Sequence, residues 1–273
     1  MGTGKRVIAS VVVMVCLLFG SFAFAEEKVH SFAMGPEVSF INFKDSSQGV
    51  KEKGMLYGIY GIYTFKPQTE NWVTRAFNVY KIDAHFDYGT PDYKSDGDRT
   101  DVKDYLLEPR LLLGKDFQAG GATVTSYSGL GYRYFFRDGK ASNGFADDKY
   151  RYIYLPIGLA VEKHLQNGWK LGGLLEYDLL LKGYYDQSLS DLNDPTNKYS
   201  DIKNENTSGN GVRAAISFEK KMGRVDLQIS PYARCWNIGK SNTATYYVNG
   251  APFTYQDGKT SALEFGLSIG MKF

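Results

Sequence analysis

The sequence alternates apolar and polar residues with a period of two. From Tyr80 to Tyr88, the residues Tyr, Ile, Ala, Phe and Tyr alternate with Lys, Asp, His and Asp. The carboxyl-terminal segment Leu263–Phe273 repeats the pattern and ends on an apolar residue. Because successive side chains of a β-strand point to opposite faces, this alternation predicts strands with one apolar and one polar face. Residues 26–273 contain almost no segment of helical period, so an all-β fold is predicted.

Ten segments carry this alternation and predict ten strands. Aromatic residues at both ends of an apolar stripe are typical of barrel strands that cross a membrane, where they lie at the two interfaces. An even strand count places both termini on one side, as in single-chain bacterial barrels. We therefore predict a single antiparallel up-and-down transmembrane β-barrel, with eight or twelve strands as alternatives. The predicted strands are Phe32–Lys44, Gly54–Lys66, Asn78–Tyr88, Lys103–Lys115, Thr123–Arg137, Tyr150–Leu165, Trp169–Tyr185, Gly211–Lys221, Val225–Lys240 and Thr260–Phe273.

The connections alternate between short turns and longer polar loops, as expected for periplasmic and external sides. Pro67–Phe77 breaks this rule, because as a periplasmic connection it is longer than the first external loop, Asp45–Val50. In the last external loop, Asn249-Gly250 lies between two aromatic runs and predicts a hairpin turn. We expect strands nine and ten to extend beyond the membrane there as a ribbon.

The amino terminus predicts a cleaved signal peptide at residues 1–25, followed by the barrel domain at residues 26–273. Lys5-Arg6 precedes an apolar run that ends in Ala23-Phe24-Ala25, which is the layout of a secretory signal. An uncleaved membrane helix is the alternative, since the run reaches about 18 residues. Without Lys5 and Arg6, the 32 basic residues fall to 30, equal to the 30 acidic ones. A nucleic-acid partner is therefore not expected, since it requires a basic excess.

The carboxyl-terminal segment Leu263–Phe273, which contains Phe265, resembles the signal by which the outer-membrane assembly machinery recognises barrel proteins of Gram-negative bacteria. Gly129–Phe135 resembles the glycine-and-aromatic strands of the small outer-membrane β-barrel superfamily, and the chain as a whole is similar to its OmpA-like and opacity-type barrels. This resemblance implies export through the periplasm to the outer membrane, with the assembly machinery and lipid as partners. It also implies that Phe265 and Phe273 are part of the assembly signal. It brings no catalytic residue and no cofactor.

Apolar faces turned to lipid place the polar partners of each strand in the lumen. We expect lipid contact for Ile82, Phe86, Leu111, Leu155, Ile157, Leu175, Ile216 and Leu267. A barrel of ten strands is narrow enough for side chains to fill, so the luminal charges predict a plug of ion pairs. A conducting or ligand-holding lumen is the alternative. The predicted luminal residues are Lys81, Asp83, His85, Asp87, Glu108, Arg110, Arg133, Glu176, Asp178, Arg213, Arg234 and Glu264, with Glu37, Glu162, Lys182 and Glu219 on the same faces.

Two further luminal features suggest alternative functions. His85 lies between Asp83 and Asp87 on one strand face and is the candidate base of an outer-membrane hydrolase, although no nucleophile motif accompanies it. An aromatic cluster is predicted at the external mouth, where it either packs as a core or holds an apolar solute. Its members are Phe135, Tyr150, Tyr152, Tyr154 and Leu180.

Closely spaced carboxylates on two external loops could take Ca²⁺, although neither loop has the full ligand spacing of a calcium site. They are Asp96, Asp98 and Asp101 in one loop, and Asp191 and Asp194 in the other. We therefore predict no metal site and no cofactor.

The sequence predicts an integral outer-membrane barrel with exposed external loops. A structural, surface-interaction or minor permeation role is expected, without enzymatic activity. A hydrolase that uses His85 and a carrier of an apolar small molecule are the alternatives. A secreted lipocalin-like binder is a further alternative, and its strands would turn their apolar faces inward.

Overall fold

A computed structural model describes residues 29–46, 49–69, 71–95, 98–139, 146–192 and 194–273. The predicted signal peptide lies outside these residues. The strands are β1 (His30–Asp45), β2 (Lys51–Phe65), β3 (Val79–Gly89), β4 (Asp92–Ser95), β5 (Asp98–Asp101), β6 (Lys103–Ala119), β7 (Ala122–Asp138), β8 (Asp148–His164), β9 (Trp169–Gln187), β10 (Ile202–Asn206), β11 (Gly209–Met222), β12 (Val225–Ile238), β13 (Thr243–Val248), β14 (Ala251–Gln256) and β15 (Thr260–Lys272). The described ranges also contain one short α-helix, α1 (Trp72–Ala76), and two 3-10 turns, Gln166–Gly168 and Leu189–Asp191.

Ten long antiparallel strands within the described ranges close into a barrel. Their order around the wall is β1, β15, β12, β11, β9, β8, β7, β6, β3 and β2, and the pairing of β1 with β2 completes the circle. The ends of each predicted strand differ from those of an observed strand by at most four residues. The prediction of an all-β, ten-stranded barrel is therefore confirmed.

The apolar faces of the strands point out of the barrel. Ile82, Leu111, Ile157, Leu175 and Ile216 each expose more than half of their surface. The alternate positions on the same strands are buried inside. The lipocalin-like alternative is therefore wrong for this chain, because the apolar faces of a lipocalin-like barrel would line the interior. Phe86, Leu155 and Leu267 also lie on outward faces, half-buried between their neighbours.

Aromatic rings form a girdle at each end of the outer wall. At the external end, Tyr88 packs against Tyr105 with 5.0 Å between ring centroids, and Tyr105 packs against Phe136 at 5.8 Å. At the periplasmic end, Phe65 packs against Tyr80 at 5.7 Å. Such girdles mark the two interfaces of a membrane-spanning barrel.

The longest periplasmic connection contains α1. Asn71 caps this helix by accepting hydrogen bonds from the backbone N–H groups of Val73 and Thr74, and the Thr74 hydroxyl accepts one from the Asn71 N–H. This capping box stabilises a helix too short to persist alone. Among the described residues, no helix is long and apolar enough to cross a membrane.

The last external loop forms a ribbon of strands β13 and β14. Asn249 and Gly250 have positive φ angles of 52° and 83°, which a type I′ hairpin turn requires. The turn is where the sequence predicts it. The ribbon, however, is a separate two-stranded sheet and not a continuation of β12 and β15.

Candidate functional site

The interior of the barrel is built around the carboxylate of Glu108, which is fully buried. In the described part of the chain it accepts hydrogen bonds from three guanidinium groups: Arg133 Nη1 at 3.1 Å, Arg213 Nη2 at 2.6 Å and Arg234 Nη1 at 3.2 Å. The hydroxyl of Tyr154 donates a fourth at 2.5 Å. Strands β6, β7, β8, β11 and β12 are thereby joined across the lumen at one residue.

Further ion pairs connect this centre to the rest of the wall. Arg110 donates to Asp83 and, at 2.6 Å, to Glu176. The Arg213 Nε atom lies 3.0 Å from a Glu176 oxygen, and Arg133 also donates to Glu264. Buried charges are tolerated when they are paired and hydrogen-bonded in this way. We call this set of buried charges, together with Glu108, Arg234 and Tyr154, the luminal network.

Three further predicted luminal residues are less well paired. Asp87 is fully buried, and its closest cation within the described residues is Arg234 Nη2 at 4.0 Å. Asp178 is buried on β9, and its Oδ1 atom accepts no hydrogen bond from the described part of the chain. Lys81 lies half-buried on the inward face toward the periplasmic end.

One predicted luminal residue points the other way. Tyr154 pairs with Leu180 while Ile153 pairs with Lys182, so Leu181 forms a β-bulge in β9. Beyond the bulge the facing of side chains is reversed, and Lys182 lies outside the barrel, 5.4 Å from the ring centroid of Tyr184. The luminal assignment of Lys182 is therefore wrong, because strict alternation does not include the additional residue.

Both ring nitrogens of His85 face carboxylates. Nδ1 lies 2.8 Å from Glu37 Oε1, and Nε2 lies 3.0 Å from Asp83 Oδ1. The predicted flanking by Asp83 holds, but the second partner is Glu37 on β1 and not Asp87. A general base needs one nitrogen directed at the group that loses its proton. In this arrangement each nitrogen is already directed at an acid.

The predicted mouth aromatics come together as a packed layer. Tyr154 and Tyr152 contact Trp236, with ring centroids 5.0 and 5.9 Å apart. Phe135 packs on Tyr150 at 5.9 Å, and Leu180 is buried in the same cluster. The cavity at this level measures about 20 Å³, which is room for about one water molecule. We call Phe135, Tyr150, Tyr152, Tyr154, Leu180 and Trp236 the aromatic layer.

Arg137 forms a second buried centre nearer the outside, which the sequence analysis missed. Its guanidinium pairs with Glu52 and, at 3.2 Å, with Asp148. It also lies 5.1 Å from the ring centroid of Phe43 and 5.0 Å from that of Tyr93. The alternation in β7 was sufficient to place Arg137 inside, but its partners lie on other strands, and Glu52 is 85 positions away.

Asp257 lies outside the membrane-spanning segments, between the ribbon and β15. Burial and the adjacent carboxyl of Asp45 raise the pKa of Asp257 to about 8. The Tyr255 hydroxyl donates to its Oδ1 atom at 3.3 Å, and the Asp148 carboxylate adds a further negative charge nearby. At neutral pH this carboxyl is therefore largely protonated.

Of the candidate calcium residues, Asp194 forms a local turn, and others lie outside the described part of the chain. Asp194 accepts hydrogen bonds from the backbone N–H groups of Thr196 and Asn197 at 2.8 and 3.1 Å, which is a local turn. Asp96 and the side chains of Asp98 and Asp101 lie outside what is described. Within the described ranges, no three acidic, histidine or cysteine side chains are placed to hold a metal ion.

The residues of the predicted assembly signal lie on the last strand and at its end. Phe265 is exposed on the outward face of β15. Phe273 exchanges backbone hydrogen bonds with Phe32 of β1, at 2.8 and 3.3 Å. The final residue thus takes part in closing the barrel.

Comparisons with known proteins found a family match and several solved structures. The profile of the family described as Autotransporter beta-domain matches residues 24–230. The outer membrane protease OmpT from Escherichia coli has the same fold, with a TM-score of 0.58 and 11% identity over 93% of this chain and 99% of that one. The translocator domain of the autotransporter NalP from Neisseria meningitidis gives a TM-score of 0.35 and 11% identity over 98% and 96% of the two chains. No curated protein sequence matches the chain.

Proposed function

The chain belongs to the autotransporter beta-domain family and is a barrel of the Gram-negative outer membrane, and on this premise we propose that it is a closed barrel that functions through its external surface. The proposal combines a structural role in the membrane with surface interaction. Minor solute permeation is the alternative that it disfavours.

The filling of the lumen by buried side chains is the observation that carries the proposal. The luminal network joins opposite walls through Glu108, and its members are almost completely buried. The aromatic layer covers the network on the external side and leaves a cavity of about 20 Å³. A hydrated ion or a small solute needs a continuous water-filled path, so the filling of both levels by side chains supports a closed lumen.

The external elements support a role in surface interaction because β10 and the ribbon are ordered strands held together by hydrogen bonds. The Asn204 side chain of β10 donates to the Asn242 carbonyl at 2.6 Å, which ties β10 to the base of the ribbon. The ribbon exposes about half of Tyr247 and Phe253. Exposed aromatic residues on a rigid element are frequent anchors of protein interfaces.

Single-channel recording of the refolded protein in planar bilayers tests the closed lumen. We expect no current steps from the parent protein. A variant with Tyr152→Ala and Trp236→Ala, which removes two rings of the aromatic layer, should produce steps and thereby show that the assay detects opening. A parent protein with a steady open conductance would contradict the proposal.

The proposal does not include hydrolysis by His85. Its support is that Glu37 and Asp83 face the two ring nitrogens. Refolded protein should therefore cleave neither a fluorogenic peptide library nor phospholipids, and His85→Gln should leave any background rate unchanged. Activity that disappears in His85→Gln but remains in the outward variant Ile157→Val would favour the hydrolase.

A further inference from the structure

A groove of about 940 Å³ lies on the lipid-facing wall near the periplasmic end. Its walls are apolar side chains of β6, β8 and β9, including Leu113, Phe117, Ile157 and Leu175. It opens on the outer surface, and three residues that face inward, Tyr127, Gly158 and Glu176, also border its floor. A barrel wall is usually convex, so a groove of this size needs a local cause.

The cause lies in two serines on the outward face of β7. Ser128 pairs with Leu113 on one side and Ile157 on the other. Ser126 pairs in the same way with Lys115 and Leu159. Each small side chain lies between two long ones, so the wall has a trough along β7. The Ser128 hydroxyl donates to the Pro156 carbonyl at 2.8 Å, which satisfies it within a surface that faces hydrocarbon.

The trough ends at basic groups on the periplasmic side. Lys115 and Arg75 both line the groove, and Arg75 lies in the last turn of α1. The Lys115 ammonium donates to the Thr74 carbonyl at 3.2 Å, which holds α1 against the barrel wall. The unusually long periplasmic connection therefore brings a cation to the open end of an apolar trough.

Trp72 marks the level of this end in the membrane. It is the first residue of α1 and is 83% exposed, the largest exposure of any large apolar side chain in the described ranges. Phe77 and Phe117 are also exposed, and both line the groove. Aromatic residues of this kind lie at the headgroup level of a bilayer. Lys115 and Arg75 are consequently at the height of lipid phosphates.

We propose that this groove is a binding site for one anionic phospholipid of the periplasmic leaflet, with an acyl chain in the trough over Ser126 and Ser128 and the headgroup phosphate at Lys115 and Arg75. The apolar walls match the acyl chain, and the two cations match the phosphate. A docked apolar helix or a second barrel would match the walls but has no need of the cations.

Native mass spectrometry of the folded protein, released from mixed phosphatidylglycerol and phosphatidylcholine vesicles into mild detergent, tests the site. We expect one retained phosphatidylglycerol on the parent. Ser128→Phe fills the trough and should lower retention of both lipids. Lys115→Glu combined with Arg75→Glu should lower retention of phosphatidylglycerol about tenfold, which corresponds to about 1.4 kcal/mol, and leave phosphatidylcholine unchanged.

A second groove on the outer wall provides the matched control. It measures about 510 Å³, is lined by residues such as Val161, Ala214 and Pro231, and has no charged side chain among its lining residues. Ala214→Phe fills this groove with the same aromatic ring and should leave phosphatidylglycerol retention at the parent level. Heat-modifiability on a gel shows for each variant that the barrel is folded.

Three results would overturn the proposal. One is equal phosphatidylglycerol retention by the parent and folded Ser128→Phe. Another is retention without preference for phosphatidylglycerol over phosphatidylcholine in the parent. The third is a parent that is released as a dimer without lipid and becomes monomeric in Ser128→Phe, because the groove is then an interface between copies of the chain.

Discussion

Tyr154 on β8 donates its hydroxyl hydrogen to Glu108 on β6 at 2.5 Å, inside the lumen. The bond connects the aromatic layer to the luminal network, since Tyr154 belongs to both. Tyr154→Phe keeps the ring and removes only this donor. We expect it to lower the free energy of unfolding by about 1.5–3 kcal/mol, the usual contribution of a hydrogen bond to a charged group. Urea unfolding in lipid vesicles, followed by tryptophan fluorescence, measures the difference.

Glu108→Gln should be considerably more damaging than Tyr154→Phe. It is nearly isosteric, but it leaves three buried guanidinium groups without their shared negative charge. Removing one partner of a buried ion pair costs about 3–5 kcal/mol. The same urea titration provides the comparison. A Glu108→Gln barrel as stable as Tyr154→Phe would mean that the network does not depend on this carboxylate.

The facing of side chains on β3 predicts that substitutions at two nearby positions, 82 and 85, affect insertion differently. Ile82 is exposed to lipid, whereas His85 faces the interior. Ile82→Arg places a charge against hydrocarbon and should cost about 2–4 kcal/mol at mid-membrane depth. It should therefore reduce insertion into vesicles more than His85→Gln does. Spin labels at the two positions should report lipid at residue 82 and no lipid at residue 85, and the opposite result would mean that the facing is wrong.

Deletion of Phe273 should reduce the amount of assembled barrel while leaving export intact. The resemblance implies that this residue is read by the assembly machinery, and its backbone also pairs with Phe32. Replacement by Leu keeps the backbone pairing and removes the ring. Comparing deletion with Phe273→Leu by fractionation of the outer membrane separates recognition from closure. Parental levels in both variants would remove the support for an assembly signal.

The raised pKa of Asp257 predicts a pH dependence of the external mouth. This carboxyl keeps its proton in the folded protein up to a pKa of about 8, whereas in an unfolded chain it loses the proton near 3.8. The folded state therefore binds the additional proton, and stability falls as pH rises from about 4 to 8. Protease resistance of the ribbon should decrease over this range. Asp257→Asn, which cannot ionise, should flatten the profile, and an unchanged profile would contradict the assignment.

Alternation along single strands was sufficient to predict the barrel and the facing of most residues, because each strand has only two faces. It could not predict contacts that depend on the register between strands. His85 was expected beside Asp87 on its own strand, yet its second partner is Glu37, 48 positions away. Arg137 was missed as a centre for the same reason, since Glu52 lies 85 positions away. The reversal of Lys182 depends on one additional residue in β9, which leaves the apolar composition of the strand unaltered.

The pairing of β1 with β15 has a consequence for the order of folding. Glu264 on the last strand is a partner of Arg133, which precedes it by 131 positions, and Arg234 reaches Glu108 across 126 positions. These two contacts cross the lumen between strands that are not neighbours in the wall, so they form only when the sheet closes, although Arg133 and Arg234 also have partners on adjacent strands, Glu108 and Glu264. Until then the inner surface must stay hydrated, so it cannot enter hydrocarbon as an open sheet. Closure and dehydration of the interior must therefore occur together, and contacts between such distant segments make this step slow.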